Sequence, residues 1–145
     1  MQEKILIVDD EPDMLELLSM IITEKTPYEV ITTNNPLEVL DLIKKNNVDL
    51  VIADLKMPDM DGIELLNAVK KFDENLTVII ITAYGTIESA VETMHKGAFD
   101  FITKPFRKEQ ILYTIDRALK WQKMQKENIL LKQELSKKGG EHQAD

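Results

Sequence analysis

Leu50-Val51-Ile52-Ala53-Asp54-Leu55-Lys56-Met57-Pro58-Asp59-Met60-Asp61-Gly62 is the stretch on which the fold turns. Its first four residues are apolar and rich in β-branching, the pattern of a short buried strand, and Asp54 stands where that strand gives out. Pro58, Asp59, Asp61 and Gly62 are turn formers, and a helical pattern opens at Gly62. Strand, loop and helix in that order put the Asp54 carboxylate at the carboxyl edge of a sheet, aimed into a crevice.

The same unit recurs on either side. A strand over 4–8 ends in Asp9-Asp10-Glu11-Pro12, and Pro12 suits the first turn of a helix carrying Met14, Leu17, Leu18, Ile21 and Ile22 at helical spacing. A second strand covers 28–32, and Pro36 opens a helix with Leu37, Val39, Leu40 and Ile43 apolar. After the strand over 48–53, a helix spans 62–71 and a fourth strand spans 76–81, running out at Thr82-Ala83-Tyr84-Gly85. A helix over 86–96 is stopped by Gly97, and a fifth strand over 99–102 is closed by Thr103-Lys104-Pro105-Phe106. The last helix starts near Arg107 and continues to Gly139-Gly140. Five strands alternating with helices make an α/β domain, its parallel sheet covered on both faces.

A chain of 145 residues with 43% hydrophobic content is one domain with room for an appendage. It has no cysteine, which removes disulfides, thiol nucleophiles and cysteine metal sites. The N-terminus enters a strand at once with no basic, apolar leader, and no run approaches the ~18 apolar residues of a membrane helix. These features predict a cytoplasmic location and no membrane partner. The net charge of −8 argues against a nucleic-acid surface. That charge is divided: residues 1–119 hold 12 Lys or Arg against 22 Asp or Glu, whereas 120–138 hold 6 against 2. The split predicts a globular domain over 1–119, a basic extension of the last helix over 120–138 and a disordered tail over 139–145.

Asp9 and Asp10 end the first strand, Asp54 the third and Thr82 the fourth, and Lys104 lies just past the fifth, so the topology gathers them at one sheet edge. Three carboxylates so close repel one another unless a hard divalent cation such as Mg2+ joins them. An oxygen of Asp54 then remains as a nucleophile, Thr82 can donate a hydrogen bond to a phosphoryl oxygen, and Lys104 can neutralise another. Each residue alone has a plainer reading: an acid pair before proline caps a helix, and a strand-end aspartate solvates a turn. Their joint placement makes a phosphoryl-accepting site.

With the acid pair, Asp54 followed by Met57-Pro58 and Asp61-Gly62, Thr82-Ala83 and Lys104-Pro105 all in order, residues 3–119 resemble the receiver domain of two-component response regulators. The resemblance implies a flavodoxin-like (CheY-like) sheet of order 2-1-3-4-5 and phosphorylation of Asp54 by a sensor histidine kinase. It places Mg2+ on Asp10, Asp54 and the backbone carbonyl of Lys56, with Asp9 orienting a metal-bound water. It makes Thr82 and Phe101 a switch pair, where the residue alone reads first as a core aromatic. The stretches 82–86 and 96–106 are similar to receivers of NtrC-type activators, in which a linker helix, an AAA+ ATPase and a DNA-binding domain follow. No Walker-type phosphate loop stands in this chain, so the likeness implies a regulatory fragment that itself touches no nucleic acid.

Past Ile111, Ile115 and Ala118, the residues Trp121, Met124, Asn128, Leu131 and Leu135 recur at alternating steps of three and four. That is the seam of a coiled coil, with Asn128 setting register, and it predicts a homodimer. A single solvated helix, frayed after Trp121, is the plainer alternative. His95 and His142 lack partners at ligand spacing, and His95 suits the last turn of its helix.

The expected function is a signalling switch that phosphorylates and dephosphorylates itself and is otherwise not an enzyme. Two alternatives use the same fold: a Mg2+-dependent phosphohydrolase, which would carry an acid where Lys56 stands, and a flavin carrier, whose phosphate Asp9-Asp10-Glu11 would repel. A stand-alone receiver acting through protein contacts is a further alternative.

Overall fold

The computed structural model describes residues 2–142. Five strands, β1 (Lys4–Val8), β2 (Glu29–Thr33), β3 (Leu50–Ala53), β4 (Thr77–Thr82) and β5 (Asp100–Thr103), form one parallel sheet in the order β2-β1-β3-β4-β5. This is the strand order that the receiver likeness implied. The helices are α1 (Pro12–Lys25), α2 (Val39–Asn46), α3 (Gly62–Phe72), α4 (Ile87–His95) and α5 (Lys108–His142). A 3-10 turn, Pro36–Glu38, precedes α2, because Asn35 accepts the Leu37 N–H at 3.0 Å and winds the entry tightly.

Alternation along each strand divides the core in two. Leu6, Val8, Val51, Ala53, Val78 and Ile80 face Val39 and Ile43 of α2 and Leu65, Leu66 and Val69 of α3. Ile5, Ile7, Leu50, Ile52, Ile79, Ile81 and Ile102 face Leu18 and Ile22 of α1 and Ile111, Ile115 and Ala118 of α5. Because both faces are covered, the central strands read as continuous apolar runs.

Local chemistry fixes the helix ends. Asp61 caps α3 by accepting the Glu64 N–H at 2.8 Å, and Thr86 and Ser89 close a capping box on α4. Gly97, at φ 104°, turns the chain out of α4 into β5. Helix α4 buries little; Ile87, Val91 and Met94 along it are exposed.

One detail differs from the sequence reading. Helix α5 does not end at Gly139-Gly140 but runs to His142; residues 143–145 lie outside the described residues. Glycine costs a helix about 1 kcal/mol without forbidding it, and no proline follows to stop the turn. Past the expected boundary at residue 119, Gln122 is as buried as the core.

Candidate functional site

Asp54 N–H donates to the Val8 carbonyl at 3.3 Å, directly after the paired residues Val8 and Ala53, so Asp9 and Asp54 leave neighbouring strands side by side. Both side chains are buried, at 4% and 1% exposure. Lys104 comes from the far side of the sheet, where its N–H donates to the Thr82 carbonyl at 2.8 Å. Its Nζ reaches Asp9 Oδ2 at 3.0 Å and Asp54 Oδ2 at 2.9 Å. The second oxygens are held by the backbone, Asp9 Oδ1 by the Glu11 N–H at 3.0 Å and Asp54 Oδ1 by the Lys56 N–H at 3.2 Å.

One cation between two buried carboxylates leaves negative charge uncompensated, and Asp10 and Glu11 add to it. Oxygens of Asp9, Asp10, Glu11 and Asp54 all lie within 4.8 Å of one another. Burial pushes the Asp9 carboxyl above its ordinary range, against the Glu11 N–H and Lys104, which both favour the carboxylate. Burial also opposes the Lys104 ammonium, yet its hydrogen bonds to Asp54 and Asp9 prevail and raise it above its usual value. The causes differ, burial for Asp9 and the two carboxylates for Lys104, but four acidic side chains around one ammonium leave the cleft short of positive charge. A hard divalent ion fits that oxygen set and that deficit.

Thr82 is fully buried at the end of β4, and its Oγ1 accepts the Tyr84 N–H at 3.1 Å, an arrangement that leaves the hydroxyl hydrogen to be donated elsewhere. Thr82 pairs with Thr103 and Ile80 with Phe101, so Thr82 and Phe101 share a face of the sheet. The half-buried Phe101 ring lies against the loop after β4: a Cβ on Gly85 would stand 2.9 Å from its Cε1. At the mouth of the cleft, Lys56 Nζ sits 4.9 Å from the centre of the exposed Tyr84 ring.

Sequence reasoning read Gly62 as turn chemistry, but its function is close approach. A Cβ there would fall 2.3 Å from the Asp54 carbonyl oxygen and 2.7 Å from Leu55 Cα. Its N–H donates to the Leu55 carbonyl at 2.7 Å, so the start of α3 is pressed against the backbone that carries Asp54. Glu11 was also missed, and its place beside the acid pair was the available signal.

The described seam residues are exposed, Trp121 at 47%, Met124 at 59%, Leu131 at 57% and Leu135 at 66%, with Asn128 also exposed among them. Among the described residues, no helix is long and apolar enough to cross a membrane.

Residues 5–116 match the family model described as the response regulator receiver domain. The chain belongs to that family. It is 41% identical over 119 residues to sporulation initiation phosphotransferase F of Bacillus subtilis, covering 82% of this chain and 95% of that protein. It is 38% identical over 133 residues to the regulatory protein AtoC of Escherichia coli, covering 92% of this chain and 29% of AtoC. The solved structure of NtrX from Brucella abortus superposes with a TM-score of 0.83 at 34% identity, over 90% of this chain and 30% of that one. The receiver therefore spans less than a third of the transcriptional regulators that it matches. Those regulators agree with the NtrC-type resemblance, and as a member of the family the domain is a phosphoryl acceptor of two-component signalling.

Proposed function

We propose that Asp54 is the phosphorylated residue, that a sensor histidine kinase supplies the phosphoryl group, and that Asp10, Asp54 and the Lys56 carbonyl hold Mg2+ while Asp9 orients a metal-bound water. The observation that carries this reading is the Lys104 Nζ bridge between the buried carboxylates of Asp9 and Asp54, with Asp10 and Glu11 beside it. Magnesium, when bound, offsets charge on the transferring oxygens.

The chain's own residues do the rest. An oxygen of Asp54 forms a bond to phosphorus as the bond from phosphorus to the donor nitrogen breaks, and the histidine nitrogen keeps that electron pair. Lys104 exchanges Asp54 Oδ2 for a phosphoryl oxygen. The Thr82 hydroxyl turns its hydrogen toward another, which draws the loop after β4 inward and frees room for the Phe101 ring. The added charge is about −1.5 to −2, too local to act except through such contacts.

The exposed seam on α5 supports a homodimer whose arrangement follows the phosphorylation state, within a longer protein carrying an AAA+ ATPase and a DNA-binding domain. Such a protein works in the cytoplasm. A free-standing receiver acting by protein contact is the second reading, favoured by the near-complete coverage of phosphotransferase F. The longer match to AtoC, 133 residues against 119, runs into the α5 extension and favours the linker reading.

Incubation with Mg2+ and acetyl phosphate tests the site. One phosphoryl group per chain, absent in Asp54→Asn, supports the switch; continuous release of many phosphates per chain would mark a hydrolase instead. Sedimentation with and without beryllofluoride tests the dimer, and an unchanged mass and shape would defeat the coupling.

A further inference from the structure

The buried stripe of α5 does not stop with the domain core. Ile111, Ile115 and Ala118 are followed at the same spacing by Gln122, which is 3% exposed. Its Oε1 accepts two hydrogen bonds from Thr77, from the N–H at 2.9 Å and from the hydroxyl at 2.5 Å. Thr77 is the first residue of β4, and Thr82 is its last. One turn further along the helix, Lys126 Nζ contacts Asp49 Oδ1 at 2.7 Å, while Asp49 Oδ2 accepts the Lys4 N–H at 2.9 Å. Trp121 leans on Phe99, with ring centroids 6.5 Å apart.

These contacts lie along the amino edge of the sheet, opposite the acid cluster, because Thr77 pairs with Leu50 beside Asp49. They fasten the first two turns of the predicted linker to the start of β4 and to Asp49, the residue before β3. An amide oxygen buried between two donors admits one rotation of the helix, since turning it would leave the Thr77 N–H unpaired.

We propose that Gln122 is a positioning residue that joins the linker helix to the phosphorylation site through β4. It sets the direction in which Met124, Leu131 and Leu135 face, and it makes residues 120–126 part of the receiver body. Thr82 at one end of β4 senses the phosphoryl group, and Thr77 at the other holds the helix. The relay rests on the reading of Asp54 as phosphoacceptor, and the two fail differently.

Trp121, the sole tryptophan, is the reporter. The intact chain, below the concentration at which sedimentation detects association, is titrated with Mg2+ and beryllofluoride while tryptophan emission is followed. Wild type is expected to shift. Gln122→Leu is expected to accept phosphate on Asp54 in wild-type amount from acetyl phosphate, yet to lose the shift about fivefold or more. Gln122→Glu, which keeps both acceptor contacts, restores it. Thr77→Val, which removes one donor without changing shape, reduces the shift in the same sense and serves if Gln122→Leu does not fold. A wild-type response in Gln122→Leu or an undiminished one in Thr77→Val overturns the relay, as does a silent Trp121 in a chain labelled at Asp54. Failure of wild type to label Asp54 overturns the phosphoacceptor reading itself, and the relay with it.

Discussion

Lys104 Nζ and Asp54 Oδ2 meet at 2.9 Å, although 50 residues separate them in the chain, and both side chains are nearly closed to solvent. The same ammonium holds Asp9, so its loss leaves two carboxylates facing each other without a counterion. Removing one partner of a buried ion pair costs about 3–5 kcal/mol. Lys104→Met is expected to lower unfolding free energy by that order in urea titrations without Mg2+, and to slow labelling by acetyl phosphate. Equal stability would show that the cleft is wetter than the structure has it.

Gly62→Ala tests the close approach of α3. The added methyl meets backbone on β3's exit, which cannot yield as a flexible side chain would. Overpacking of this kind costs about 1–3 kcal/mol, and the displaced Asp54 should label more slowly than wild type. Wild-type stability and labelling together would mean that the helix start shifts freely.

Lys56 and Tyr84 line one cavity with Asp10 and Glu11, and the Lys56 ammonium lies over the Tyr84 ring. A contact of this kind is worth about 0.5–1 kcal/mol, which corresponds to a two- to fivefold change in a rate. Lys56→Ala and Tyr84→Ala are each expected to shorten the phosphoryl lifetime by about that factor, with the double variant no faster than the quicker single one. Additive effects would show that the two side chains act separately.

Tyr28 donates to Asp116 Oδ1 on α5 at 2.8 Å; burial first, and then that acceptor, push its phenol from the ordinary 10.0 up to about 12. The folded chain holds this proton more tightly than the unfolded one. Its contribution to stability is therefore full below pH 10 and lost as pH rises toward about 12. Thermal melts from pH 9 to 12 should fall less steeply in Tyr28→Phe than in wild type, and parallel curves would remove the linkage.

The sheet and the acid cluster were legible because strand ends are written in polarity. Apolar runs stop at Asp9, Asp54 and Thr82, and parallel topology sends every such stop to one edge. Contacts at the other edge were not. Gln122 continues the spacing of Ile115 and Ala118, but a hydrophobicity pattern counts a glutamine as solvated, and only the register of β4 supplies its donors. Gly62 misled differently: a glycine after Asp61 looks like a turn, whereas the backbone it must clear belongs to Asp54 and Leu55.

The most direct measurement locates the acyl phosphate. After labelling with acetyl phosphate and Mg2+, borohydride reduction converts a phosphorylated aspartyl side chain to homoserine, and peptide mass spectrometry identifies the residue changed. Homoserine at position 54 alone is the predicted result; homoserine at position 9 or 10, or none in a labelled chain, would contradict it.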